Sequence, residues 1–152
     1  MIHHTMGFAG RGRSFVGSAC LFGLVLASCN EFRETPLIRS VPVALVRPAD
    51  MKTVEWAIES SLAKRHWVVK EHVGQKYVAV LSERTHQVTI AIVYNADSAR
   101  IDYIDSTNLL YENRPGGEVI HKKYQTWVKN LGEEIRIAAT HAKAPTLTAA
   151  SR

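Results

Sequence analysis

Cysteine is scarce in this 152-residue chain, and its two cysteines, Cys20 and Cys29, both lie near the start. Beyond residue 29 there is no thiol. That excludes a disulfide framework, a thiolate metal site, a cysteine nucleophile and a CxxCH haem attachment from most of the sequence. Acidic residues are missing ahead of Cys29, where Arg11 and Arg13 are the only Lys or Arg. Long apolar runs are missing too. The uncharged, mostly apolar run from Ser14 to Leu26 has 13 residues, short of the ~20 that a membrane-crossing helix needs. There is no HExxH, no G-x-S-x-G elbow, no P-loop and no dinucleotide fingerprint. Nucleic-acid motifs of the RNP or helix-turn-helix type are also absent.

What the first 29 residues do contain is ordered. A basic start, a short apolar middle and small residues beyond it make a signal peptide. Its end, Leu26-Ala27-Ser28-Cys29, resembles the lipobox of bacterial lipoproteins. The resemblance implies cleavage before Cys29, a diacylglycerol on its thiol and an acyl chain on the new amino terminus. Long acyl chains at roughly 0.8 kcal/mol per buried methylene give a durable anchor. In the sorting pattern of enterobacterial lipoproteins an Asp after the cysteine tends to retain the protein in the inner membrane; with Asn30 at that position, the resemblance implies the outer membrane, with the domain facing the periplasm. Cys20 leaves with the signal peptide.

The formal charge of the whole chain is +5. Removing residues 1–28 leaves 17 basic and 14 acidic residues, a net +3. Such a balance fits an evenly solvated surface with a weak attraction for anionic partners.

The domain divisions expected are a signal peptide over 1–28, a lipidated cysteine and proline-containing tether over 29–49, a folded domain over 50–140 and a flexible tail over 141–152. Pro36, Pro42 and Pro48 punctuate the tether, because proline fixes φ and disfavours helix before it. The segment "SVPVALV" also fits a sheet edge, where proline is tolerated. Asp50 is a helix N-cap. Val54, Ala57, Ile58, Ser61 and Leu62 then recur at helical spacing. Strand-like runs follow at 67–71, 76–83, 86–95 and 99–106, with turn residues between them. A second helix is expected over "VIHKKYQTWVKNLGEEIRIAA", with Ile120, Tyr124, Trp127, Val128, Leu131 and Ile135 as its core stripe. Gly132 inside it costs roughly 1 kcal/mol against alanine. Helix, short-linked strands, helix implies an α+β fold. The expected form is a two-layer sandwich with an antiparallel meander of three to four strands packed against two helices.

Residues 99–135 are also similar to a set of small bacterial lipoproteins of no established activity. The shared pattern is I-x-Y-x-D-S-x-N-L-x-Y, then I-H-x-x-Y-x-x-W-x-x-N-L, and it reads here as "IDYIDSTNLLY" and "IHKKYQTWVKNL". The resemblance implies the fold and the anchor, and no reaction.

Two readings of "DSTNLLYEN" (105–113) stand side by side. In one, its polar groups close the meander as an Asx-type turn. In the other, Asp105, Ser106, Asn108, His121 and Tyr124 meet in a polar pocket that takes a peptide, a glycan or a lipid headgroup. Asp102 and Asp105 face opposite ways if their strand stays regular, which is poor geometry for an acid/base pair. Five histidines follow Cys29, and none has the spacing of a metal site. The function expected is a non-catalytic, membrane-anchored envelope lipoprotein that binds or helps assemble another envelope component, a protein or a glycan. It needs no cofactor or metal beyond the lipid on Cys29, and it binds no nucleic acid. The alternative is a small-ligand binder or enzyme using the cluster at 105–124.

Overall fold

A computed structural model describes residues 33–142. The signal peptide expected over 1–28, Cys29 and all but residues 141 and 142 of the tail expected over 141–152 lie outside the described residues, and His141 belongs to the last helix. In chain order the elements are β1 (Glu34–Pro36), β2 (Ser40–Ala44), α1 (Met51–Lys64), β3 (Val68–Val73), β4 (Lys76–Glu83), β5 (His86–Tyr94), β6 (Ser98–Thr107), β7 (Glu112–Arg114), β8 (Gly117–His121) and α2 (Lys123–His141).

The fold is α+β, but its strands form two antiparallel sheets rather than one meander of three or four strands. The larger sheet has five strands in the order β2-β6-β5-β4-β3, and the smaller has three in the order β1-β8-β7. The expected meander is present as β3 to β6. Its fifth strand, β2, comes from the stretch expected as tether. Val41, Val43 and Leu45 alternate with Ser40, Pro42 and Ala44, and the apolar set turns inward, with Val43 buried. Tyr103 N donates to Arg39 O, and Leu45 N donates to Asp97 O. Residues 39 and 45 therefore bond toward β6. By alternation the nitrogen of Pro42, which has no hydrogen to give, faces the free edge.

The second helix also begins later than its periodicity implies. Val119 and Ile120 lie in β8, where Thr35 pairs with Ile120 and Glu112 with Val119. Gly116 and Gly117 have φ of 116° and 129°, and only glycine adopts such angles without strain. They fold "NRPGGE" into a hairpin instead of a link to the helix.

Both helices cover the same face of the large sheet. Tyr77, Ile92 and Ile101 are neighbours across β4, β5 and β6. Tyr77 reaches Glu59 of α1, while Ile101 and Val43 lie against Gly132 of α2. Val54, Ile58 and Leu62 from α1 join Tyr124, Val128, Leu131 and Ile135 from α2 in one core. Each such side chain contributes roughly 1.5–3 kcal/mol when fully buried. Trp127, expected in the stripe, sits half-buried at its border beside Arg65, Trp67 and Leu81.

The cap at Asp50 is as expected. Its carboxylate accepts from Thr53 N at 3.0 Å and Thr53 Oγ1 at 2.6 Å. Those bonds hold its pKa below the ordinary carboxylate value. Among the described residues, no helix is long and apolar enough to cross a membrane.

Candidate functional site

The loop after β6 is held from several sides. Asn108 adopts φ 57°, a conformation asparagine tolerates better than most residues. Its side-chain amide donates to Thr85 O at 2.9 Å, and its own carbonyl accepts from His86 Nδ1 at 2.6 Å. Leu109 is buried, and its carbonyl accepts from His121 N at 2.7 Å. His121 Nδ1 in turn accepts from Lys123 N at 3.1 Å, serving an N–H that the first turn of α2 leaves without a helical partner. The His86 and His121 rings stand 5.8 Å apart. Burial, then the charges of His86, Lys123, Arg33 and Lys122, push the pKa of His121 below its ordinary value.

The five residues expected in a polar pocket divide into three places. Asn108 and His121 are linked through His86. Ser106 lies beside Tyr103, hydroxyl to hydroxyl at 2.9 Å, and Tyr103 meets Tyr124 edge-on at 5.4 Å between centroids. Tyr124 itself is closed to solvent, so it makes no direct contact with a ligand. Asp105 stands on the other face. It lies opposite Thr89, and the register shift at Thr89/Ile90 puts it on the outer side of the sheet together with Asp102, opposite Ala91. The strand is thus not regular, and the bulge brings the two aspartates to one face. Asp102 is already engaged, accepting from Ser40 Oγ at 2.6 Å and from Arg100.

A second polar group grows around Tyr103. Tyr111 stacks on it at 5.7 Å, and the Arg39 guanidinium lies 5.8 Å from its ring centre. Arg39 donates to both oxygens of Glu118, which also accepts from Tyr111 Oη at 2.8 Å. Arg39 and Tyr111 together hold the Glu118 carboxyl below its ordinary pKa. Arg39 and Glu118 were not legible as a pair, because 79 residues separate them.

At the far end of the sheet, Tyr77 Oη donates to Glu59 at 2.8 Å and Tyr94 Oη to Glu55 at 2.9 Å. His72 stacks on Tyr77 at 3.8 Å, and its Nε2 lies 3.1 Å from both Gly74 O and Tyr94 Oη. Burial and Glu55 push Tyr94 up to about 12, and burial and Glu59 push Tyr77 up as well. These phenols are held protonated and act as donors, not as bases. The spacing of Glu55 and Glu59, one helical turn apart, was the one local signal for this cluster.

A cleft of about 380 Å³ reaches Glu118, lined also by Pro36, Leu37 and Arg114–Gly117. Another of about 390 Å³ runs between β2 and α2, lined by Val41–Ala44, Lys129, Asn130, Gly132, Glu133 and Arg136. Among the described residues, no three His, Cys, Asp or Glu side chains converge to hold a metal. No protein-family model, curated protein or solved structure matches the chain.

Proposed function

We propose that this is a lipid-anchored lipoprotein of the cell envelope, with diacylglycerol and an N-acyl chain on Cys29 and a non-catalytic domain that binds or helps assemble another envelope component. The observation that carries the reading is the run Leu26-Ala27-Ser28-Cys29 behind Arg11, Arg13 and a 13-residue apolar segment. Asn30 supports the outer membrane as the destination and the periplasm as the working compartment. Asn108, His86 and His121 spend their polar groups on loop closure, which weighs against a small-ligand or catalytic site at 105–124.

Inclusion of β1 in the fold shortens the arm. Five residue steps separate Cys29 from Glu34 and reach at most roughly 18 Å. The domain therefore works close against the bilayer, and its partner lies at or near that surface.

Metabolic labelling with palmitate tests the anchor. The full-length protein takes up label and fractionates with outer membranes, and Cys29→Ser loses both. Label retained on Cys29→Ser contradicts the reading. Asn30→Asp moves the protein toward the inner membrane.

A further inference from the structure

The two edges of the large sheet are finished differently. At the β2 edge, Pro42 turns its hydrogen-less nitrogen outward and α2 lies close by at Gly132. At the other edge β3 is open. All six of its residues are exposed, with Val68, Val69 and Val73 at 55%, 41% and 64% of full accessibility. An open edge offers unpaired N–H and C=O groups to another strand.

The order of residues on β3, Val-Val-Lys-Glu-His-Val, is complementary to itself when run antiparallel about its centre. Val68 of one copy then stands opposite Val73 of the other, Val69 opposite His72, and Lys70 opposite Glu71. Each pair occurs twice. Opposed residues must also share a face. In a regular six-residue strand the two ends lie on opposite faces, so self-pairing would fail. The bulge between Val69 and Glu71 removes that conflict. Val68 lies opposite Val80 and Val73 opposite Lys76, both on the outer face. Val69, opposite Ala79, and His72, opposite Tyr77, lie on the helix face. A lysine in an edge bulge ordinarily guards against pairing. Here Glu71 beside it supplies the countercharge for a second copy. Among the described residues neither Lys70 nor Glu71 has an ion-pair partner.

We propose that β3 is a homodimerisation edge, on which a second copy of this chain adds its own β3 antiparallel and joins the two five-stranded sheets into one of ten strands. The contact is small, and the dimer belongs to the weak, transient class.

Disulfide trapping tests it. Two differently tagged full-length copies are co-expressed, one with Val68→Cys and one with Val73→Cys, and their membranes are oxidised. The expected product joins the two tags. It is absent from the parent chain, from Val68→Cys paired with itself and from Ser40→Cys at the β2 edge. Adding Lys70→Glu to both copies lowers the yield roughly ten-fold. Adding Glu71→Lys as well restores it, which also shows that the loss was not misfolding. Equal yields with and without Lys70→Glu overturn the proposal, as does failure of the double swap to restore the product. A Val68→Cys product with a different protein, and none between copies, also overturns it.

Discussion

Gly132 on α2 lies so close to Val43 on β2 that a Cβ added to the glycine would stand 3.0 Å from Val43 Cγ2. A glycine in mid-helix costs roughly 1 kcal/mol in propensity, and this contact explains its presence. The close approach lets α2 pack directly on β2, which its ladder to β6 holds in the sheet. Gly132→Leu forces the two apart and should cost about 1–3 kcal/mol. Chemical denaturation of the variant measures it. Unchanged stability would mean that α2 does not pack on β2 as described.

Ser61 is almost wholly buried within α1, and its hydroxyl has no hydrogen-bond partner among the described residues. Leaving a buried polar group unsatisfied costs about 1–3 kcal/mol. Ser61→Ala removes the unpaired hydroxyl and improves helix propensity. The variant should be more stable than the parent by about 0.5–1.5 kcal/mol in the same denaturation measurement. A loss of stability would mean that the hydroxyl has a partner.

Local signals are legible in this sequence and distant ones are not. The Asp50 cap, the stripe from Val54 to Leu62 and the strand at 76–83 depend on neighbours within a turn or a pleat, and they stand where expected. β1 and β8 depend on each other, with Glu34 paired to His121, so neither announces itself alone. Val119 and Ile120 fit a helical stripe and a strand equally well, and the Gly116-Gly117 hairpin decides for the strand. The bulges in β3 and β6 leave no periodicity to read, yet they set which face carries Asp105 and Val73. For the candidate site, Asn108 and His121 do fall near each other. The bulge sets Asp105 on the outer face, and Tyr124 is closed off by burial across the sheet, a tertiary property.

All five tyrosines, Tyr77, Tyr94, Tyr103, Tyr111 and Tyr124, have pKa values raised above the ordinary 10. Burial is the main cause for four of them, and the hydrogen bond to Glu118 for Tyr111. Ultraviolet titration should therefore show less tyrosinate at pH 10 in the folded protein than in the unfolded chain, with Tyr94 ionising at about 12. The unfolded chain ionises first, so the stability these groups contribute is fully present below pH ~10 and is lost as pH rises beyond it. A normal tyrosinate titration centred on pH 10 in the folded protein would contradict the buried hydrogen bonds.

His121 gives the opposite dependence on acid. Its folded pKa is depressed below the ordinary 6.5, so the unfolded chain takes up the proton more readily. Its contribution is fully present above pH ~6.5 and is lost as pH falls below that value toward the folded pKa. Protonation also puts a hydrogen on the nitrogen that accepts from Lys123 N. His121→Asn keeps an acceptor for that N–H without the titration. Its melting temperature should vary less between pH 7.5 and 5.5 than that of the parent, with stability at pH 7.5 within about 1 kcal/mol. Equal pH dependence in the two proteins would assign the acid sensitivity to other groups.

The intact mass of the protein extracted from membranes bears most directly on the account. A chain that begins at Cys29 and carries the added mass of a diacylglycerol and an amide-linked fatty acid is the predicted species. A chain that keeps residues 1–28, or one cut near residue 29 with an unmodified cysteine, would contradict it.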